Sequence, residues 1–156
     1  MKFFTLLTVA VGAWYTAAAQ ECSFEYGKIP TEELSMTSYG RDPDAEAVFL
    51  NDDTFIRYDV ANQIRLEHYR TVRIKVLKDE GVRWGDVEID YYFHQQAKED
   101  VSRLEAAAYN LVNGKPVKTP LDKQFVFKED LNETTCRLKF SVPEVRVGTV
   151  IEYRYK

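Results

Sequence analysis

The chain is poor in the residues that build disulfide frameworks and metal sites. Its 156 residues include only two cysteines and two histidines. Cys22 and Cys136 are too few to form a disulfide framework, and neither His68 nor His94 has a second ligand at a convincing metal-site spacing. We therefore predict no disulfide, no metal and no cofactor, although an oxidising compartment would permit a Cys22–Cys136 bridge.

The chain also lacks a positive charge excess and a run of apolar residues long enough to span a membrane. Its formal net charge is −4 at pH 7, so it does not carry the electrostatic footprint of a nucleic-acid binder. A transmembrane helix needs about 20 consecutive apolar residues, whereas the longest apolar run here covers only Phe3–Val11. These features argue against nucleic acid as a partner and against a membrane span.

The N-terminal stretch "MKFFTLLTVAVGAWYTAAAQ" has the layout of a secretory signal peptide. A positive residue, Lys2, precedes the apolar run, and an A-x-A pattern ends at Ala19. We predict cleavage after Ala19, so that residues 1–19 are a signal peptide and the mature protein is periplasmic, envelope-associated or extracellular. Glu21 stands where lipid-anchored precursors carry a small residue, which favours a soluble exported protein.

Beyond a lead-in segment at residues 20–44, apolar and polar residues alternate with the period of two that is typical of strands. This pattern predicts an all-β domain over residues 45–156, an antiparallel β-sandwich of about eight strands, with one short helix in the lead-in segment. We expect Thr31 to cap that helix. The arginines and lysines around Glu67 are expected on a solvated sheet face.

Several local features of the sheet follow from turn and breaker residues. "AEAVFL" and "TFIRYDV" predict a hairpin around "NDD". The long segment "QIRLEHYRTVRIKVLK" predicts a strand with a bend or bulge near His68–Arg70, and "KDEGVRWG" predicts a loop. Asn113-Gly114 predicts a hairpin turn, and Pro116 predicts a short or edge strand after it. The last strand begins at Thr149, and we expect its final residues to be frayed.

Candidate catalytic residues are weak. Cys136 could pair with His68 or His94 as a nucleophile and base, but it shares the inward phase of its strand with Leu138 and Phe140, and His68 is better explained as a hydrogen-bonded residue at the bulge. The carboxylates that could support acid catalysis or calcium binding are better explained as a polar sheet face and as solvated turn residues; they are Asp86, Glu88 and Asp90, and Asp42, Asp44 and Glu46. We predict no catalytic residue.

Trp84 is the residue that most suggests ligand contact, because a large ring stands in a glycine-flanked loop, "GVRWGD". It could equally plug that loop. Surface tyrosines could likewise stack on sugars or contact a partner; the candidates are Tyr69, Tyr91, Tyr92, Tyr109, Tyr153 and Tyr155. Asn132 in "NET" matches a glycosylation sequon.

The order of motifs resembles a known family. "DPDAEAVFLNDD", "HYRTVRIKVLKDEGVRWGDVEIDYY", "RLEAAAYNLVNGKPVKTPL" and "LKFSVPEVRVGTVIEYRY" follow one another as in domain of unknown function family 3857, over about residues 40–156. The resemblance implies an N-terminal β domain of exported bacterial proteins, typically followed by a transglutaminase-like domain with a Cys-His-Asp arrangement. No position here matches those catalytic residues, and the open-ended last strand suggests a fragment of a longer chain.

Three hypotheses follow. The first is a non-catalytic accessory or interaction domain that contacts a transglutaminase-like domain or an envelope protein. The second is a module that binds glycan or peptide through Trp84 and surface tyrosines. The third is a self-contained hydrolase that uses Cys136 or the Asp86, Glu88 and Asp90 face.

Overall fold

The computed structural model describes residues 24–60, 64–92 and 98–156, and these residues form two antiparallel β-sheets. The elements, in chain order, are α1 (Thr31–Ser35), β1 (Ala47–Asp59), β2 (Arg65–Val76), a 3-10 helix (Asp79–Gly85), β3 (Asp86–Tyr92), β4 (Glu105–Val112), β5 (Lys115–Pro120), a second 3-10 helix (Lys123–Phe125), β6 (Val126–Asp130), β7 (Thr135–Ser141) and β8 (Val150–Tyr155). Eight strands in two antiparallel sheets confirm the predicted all-β class.

The larger sheet has the strand order β1-β2-β8-β4-β5, and the smaller sheet has the order β3-β7-β6. Alternate residues of the facing strands fill the space between the sheets, because successive side chains of a strand point to opposite faces. The main core contains Val72, Ile74, Val76, Val87, Ile89, Ala106, Ala108, Leu138, Phe140, Val142, Ile151 and Tyr153. The segment that ends the chain, β8, is therefore a central strand of the larger sheet.

The turn between β4 and β5 is as predicted. Asn113 and Gly114 have φ values of 52° and 72°, which is the backbone that a two-residue hairpin turn requires. Pro116 lies in β5, at the edge of the larger sheet, where its missing N–H costs no ladder hydrogen bond.

The first hairpin differs from the prediction. β1 is one continuous strand from Ala47 to Asp59. Residues 51–53, which were predicted to form the turn, are part of this strand and pair with residues 71–73 of β2. Its partner is β2, which is regular throughout, and the register shift lies in β1 between Phe49 and Asn51. The predicted bulge near His68–Arg70 is therefore wrong, because the pairing with β1 is regular through these residues. The alternative, a bend at this point, stays a prediction.

Three further local predictions need correction. Thr31 does not cap α1: it is the first helical residue, Pro30 takes the cap position, and no side chain caps the helix. The predicted loop at 78–85 is largely a 3-10 helix. The end of the chain is not frayed, because the backbone N–H of Ser102 donates to the oxygen of Lys156 at 2.7 Å and that of Lys156 donates to the oxygen of Ser102 at 2.8 Å.

Candidate functional site

The outer face of the larger sheet is covered by the lead-in segment, and it buries charges that the sequence pattern assigned to solvent. Arg73 and Glu152 have relative exposures of 2 % and 0 %. They face each other across neighbouring strands, where Arg73 Nη2 donates to Glu152 Oε1 at 2.6 Å. The prediction of a solvated basic face is wrong here, because residues 24–36 lie on top of it.

Arg73 joins the lead-in segment to the sheet. Its Nη1 donates to Glu33 Oε2 at 3.1 Å, and its Nη2 donates to the backbone oxygens of Glu25 and Lys28 at 3.0 and 2.9 Å. Its guanidinium also stacks on the Phe24 ring at 4.3 Å. One buried cation therefore binds two backbone oxygens and two carboxylates at the same time.

The second oxygen of Glu152 is also satisfied. Glu152 Oε2 accepts from the backbone N–H of Gly27 at 2.8 Å and from the Tyr109 hydroxyl at 3.3 Å. Burial, followed by the charge of Glu152, raises the pKa of Tyr109 to about 12, so this phenol stays a donor at neutral pH. The arrangement is a closed structural network in which each charged group has partners.

Lys75 is buried beside this network with no carboxylate partner among the residues that the structure describes. Its Nζ donates to the backbone oxygens of Leu34 at 2.7 Å and Gly148 at 2.5 Å. Burial lowers the pKa of Lys75 to about 8, because removing the ammonium group from water disfavours its charged form. Lys75 joins the end of α1 to the turn before β8, which is a structural role.

The far ends of β1 and β2 form a two-stranded ribbon, residues 55–59 with residues 65–69, beyond the part of β2 that pairs with β8. β8 pairs with β2 only from Arg70 to Lys75. Ile56 and Tyr58 pair with His68 and Leu66, so these side chains share one face of the ribbon.

This ribbon face continues the core face of β2 but has no cover among the described residues. Its apolar side chains are exposed: Ile56 and Leu66 by 51 % each and Tyr58 by 71 %. The residues next to the strand ends, Val60 and Ile64, are 71 % and 82 % exposed. The alternation predicted that they point inward, and they lie in that phase, but the smaller sheet does not extend over them. Neighbouring exposed apolar side chains of this kind are typical of interaction surfaces.

Two clefts flank the segment before β4, each with a volume of about 490 Å³. The first opens between the two sheets and has Ala106, Leu121 and Leu138 in its wall. The second lies along the end of β8, beside Tyr155 and Lys156. Arg103 and Lys123 line both clefts, so these two cations stand where the clefts meet.

The predicted nucleophile is placed as a core residue. Cys136 is a free cysteine with a relative exposure of 9 %, and its Sγ donates to Asp130 Oδ1 at 3.2 Å. That hydrogen bond, followed by burial, raises the pKa of Cys136, which opposes thiolate formation. His68 is exposed on the ribbon of the other sheet, and it is not the bulge residue that the sequence predicted. His94 and Cys22 lie outside the described residues.

Trp84 lies in the first 3-10 helix and is 36 % exposed. Its ring meets Phe49 edge to face, with centroids 5.0 Å apart, and its Nε1 donates to Glu46 Oε1 at 3.3 Å. Arg83 also binds Glu46. The role of Trp84 as a ligand contact stays a prediction, and its ring is held in place by these neighbours.

The candidate carboxylates of β3 lie on the exposed face of the smaller sheet. Arg137 binds Glu88 at 2.6 Å and Asp90 at 2.5 Å, and the Ser141 hydroxyl donates to Asp86 at 2.5 Å. Because the Arg137 hydrogen bond holds the pKa of Asp90 below its ordinary value, this carboxyl is a poor general acid.

The other candidates are similarly engaged in local structure. Asp42 accepts from the backbone of Asp44 at 3.0 Å, and Asn132 accepts from the backbone of Thr134 at 2.9 Å. Within residues 24–60, 64–92 and 98–156, no group of three or more His, Cys, Asp or Glu side chains is arranged to hold a metal ion. No helix in these ranges is long and apolar enough to cross a bilayer.

Of the candidate tyrosines, Tyr109 and Tyr153 are buried and Tyr92 is exposed. The remaining three, Tyr69, Tyr91 and Tyr155, are half-buried. Tyr69 and Tyr155 line the second cleft, so two of the six candidates stand at a concave surface.

Comparison with protein families gives one match. The profile of a family described as a domain of unknown function with solved structure, DUF3857, matches residues 62–156. The chain belongs to the DUF3857 family. Comparisons with curated proteins and with solved structures found no match.

The DUF3857 match covers β2 to β8. It therefore includes the whole smaller sheet, the larger sheet without β1, and every residue that lines the two clefts except Tyr26. The lead-in segment and β1 precede it. Arg73, Lys75 and Glu152 thus lie inside the DUF3857 region, whereas their lead-in partners lie outside it. Sequence reasoning missed the clefts, because Arg103 and Lys123 are separated by 20 positions and no local pattern joins them.

Proposed function

We propose that this DUF3857 domain is a non-catalytic interaction domain of an exported transglutaminase-like protein. It would contact the transglutaminase-like domain, or another envelope protein, through the apolar face of the β1–β2 ribbon. The observation that carries the proposal is the exposure of Ile56, Tyr58 and Leu66. Burial of apolar surface stabilises a complex by about 25 cal/mol per Å², so covering this face would favour association.

The absence of a reactive constellation in the described residues supports a non-catalytic role. Cys136 is hydrogen-bonded and buried, and its pKa is raised. Two of the β3 carboxylates, Glu88 and Asp90, are paired with Arg137 on an open face, and the third, Asp86, accepts from the Ser141 hydroxyl. A candidate nucleophile needs an accessible sulfur and a base that favours its thiolate. Cys136 is buried, and its carboxylate neighbour Asp130 raises its pKa.

The first test concerns the reading frame beyond the Lys156 codon. We expect an open frame that encodes a domain with a Cys-His-Asp arrangement.

Hydrogen exchange tests the docking surface. In the longer protein, the amides of Tyr58 and Leu66 should exchange hydrogen more slowly than in the present chain. Unchanged exchange at both amides would contradict the ribbon as the docking surface.

A thiol-labelling experiment separates this proposal from a self-contained enzyme. A thiol reagent should label Cys136 slowly in the native chain and rapidly in urea, because the sulfur is buried and hydrogen-bonded. The purified chain should not hydrolyse or cross-link peptides or glycans. Turnover that Cys136→Ser abolishes would show that the chain is itself an enzyme.

A second candidate function, glycan or peptide binding at Trp84, is favoured by the exposed Trp84–Phe49 pair. Adjacent exposed rings offer a stacking surface. A glycan and peptide screen with Trp84→Ala as the control decides it. Binding that is equally tight in the variant would exclude Trp84 as the contact residue.

A further inference from the structure

Arg103 and Lys123 are two cations without ion-pair partners at a concave surface. Two other basic residues beside the clefts are paired: Arg154 binds Glu105 at 3.0 Å, and Lys128 lies 3.8 Å from Asp100. Lys118 has its Nζ over the Tyr109 ring, 5.6 Å from the centroid. In the part of the chain that the structure describes, no carboxylate pairs with Arg103 or Lys123. Their charges are therefore available to a ligand.

The first cleft combines these cations with an apolar wall. Lys118 and Lys128 stand with Arg103 and Lys123 around it, whereas its wall contains Leu121, Val126 and Leu138. Its volume of about 490 Å³ falls within the range of small-molecule sites, which join a mainly apolar lining to a few placed polar groups. Such a lining fits a ligand with an apolar body and a charged end.

The sign of the charge at the cleft is opposite to that of the whole chain. The formal net charge is −4, yet Glu105 is the one acidic residue among those that line either cleft. Glu105 is itself paired with Arg154. Low-dielectric walls concentrate such a local field and favour anions over neutral molecules.

The backbone at Arg103 gives an independent indication. Its φ is 53°, in the left-handed region that costs a non-glycine residue energy unless the surroundings impose it. The preceding residue, Ser102, is fixed by its two backbone hydrogen bonds to Lys156. Costly backbone conformations cluster at binding sites, where they hold a side chain in place before the ligand arrives.

We propose that the cleft between the sheets binds an amphiphilic anion, a molecule with a compact apolar body and a carboxylate or phosphate group. The apolar body would lie against Leu121, Val126 and Leu138, and the anionic group would meet Arg103 and Lys123. This site is separate from the ribbon face and does not depend on the proposed interaction role.

Octanoate, octyl phosphate and octanol test the proposal, because they share an apolar body and differ in the head group. Calorimetric titration of the chain should show binding of one or both anions and at least tenfold weaker binding of octanol. The preference between octanoate and octyl phosphate identifies the head group. Amide chemical shifts should move at residues 101–106 and 121–128.

Two variants and one control locate the anion. Lys123→Gln should weaken anion binding about five- to tenfold, as expected for losing one charge-assisted contact. Arg103→Gly should weaken it similarly while the melting temperature stays equal or rises, because glycine relieves the left-handed backbone. The control is Lys115→Gln, which removes the same charge beside the β4–β5 turn, at the opposite end of β5 from Pro120 in the cleft.

Four results would overturn the proposal. They are no binding of either anion at millimolar concentration, octanol binding as tight as that of the anions, an equal loss of affinity in Lys115→Gln, and chemical-shift changes confined to the ribbon residues Tyr58 and Leu66. Because Arg103→Gly should fold at least as well as the parent chain, loss of binding in that variant cannot be attributed to unfolding.

Discussion

Arg73, Lys75 and Glu152 occupy positions that a period-two pattern assigns to the solvent side of a strand. All three are buried because the lead-in segment covers that side. A buried charge is costly unless it is paired and hydrogen-bonded, and each of these groups has two or more partners. Each of these buried charges therefore stabilises the fold only while its hydrogen-bond partners are present.

Removing Glu152 should strongly destabilise the fold. Glu152→Leu leaves the Arg73 guanidinium buried without its carboxylate, and breaking a buried pair in this way costs about 3–5 kcal/mol of the free energy of unfolding. Urea unfolding measures the loss.

The matched control is Glu105→Leu on the neighbouring strand, which breaks the exposed pair with Arg154. Exposed pairs contribute about 1 kcal/mol or less. Equal losses in the two variants would contradict a special role for the buried pair.

Lys75 predicts a rise of stability with pH in the alkaline range. Its pKa is about 8 in the folded chain against 10.5 for a free lysine, so between pH 8 and 10 the unfolded chain binds more protons at this site. The free energy of unfolding then increases with pH, by at most about 1.4 kcal/mol per pH unit.

Urea unfolding from pH 7 to 10 should show this rise in the parent chain and in Lys78→Met, which removes a more exposed lysine. The rise should be absent in Lys75→Met. If Lys75→Met keeps the same pH slope as the parent chain, another group is responsible.

At the scale of elements, the 3-10 helix Asp79–Gly85 is held against the start of β1. The backbone oxygen of Glu46 accepts from the N–H groups of Leu77 and Lys78 at 2.8 and 3.0 Å, and Gly81 packs directly on this oxygen. A Cβ atom at Gly81 would lie 2.2 Å from it. Glycine is therefore required for the close approach that also positions Trp84.

Gly81→Ala should destabilise the chain by about 1–3 kcal/mol, since the backbone of Glu46 must move to admit the methyl group. Thermal unfolding measures the change, and Trp84 fluorescence should shift with it. Gly40→Ala is the control, because nothing lies within 4 Å of its added Cβ, and it should change stability by less than about 0.5 kcal/mol. Similar effects of the two variants would argue against the close contact.

At the scale of the whole molecule, the lead-in segment joins the sheet as a second small core. Leu34 of α1 is 3 % exposed and packs with Ala107, Tyr109 and Val150 on the outer face of the larger sheet. Arg73 and Lys75 bind the same segment from below. We therefore expect the segment and the sheet to unfold together.

Leu34→Ala should lower the free energy of global unfolding by about 2–5 kcal/mol, the usual cost of truncating a buried leucine. Leu111→Ala, at a position 38 % exposed, should cost much less. Circular dichroism of the sheet during urea unfolding makes the measurement. An unchanged midpoint in Leu34→Ala would mean that the segment detaches before the sheet unfolds.

The sequence by itself determined the local structure. Alternation predicted β2, β3, β7 and β8. Asn113-Gly114 predicted the hairpin of β4 and β5, and the inward phase of Cys136 predicted a core thiol. These features depend on neighbouring residues along the chain, so a local pattern carries them. The sequence motifs from residue 62 onward also identified the DUF3857 family without the structure.

Only the tertiary structure decided which faces are covered, because cover comes from residues distant in sequence. Val72 and Ile56 lie in the same phase of the alternation, but the smaller sheet covers Val72 and does not extend over Ile56. Arg73 lies in the opposite phase and is buried because residues 24–36 cover it. The clefts at Arg103 and Lys123 arise in the same way, since two chain segments meet there only after the sheets have packed.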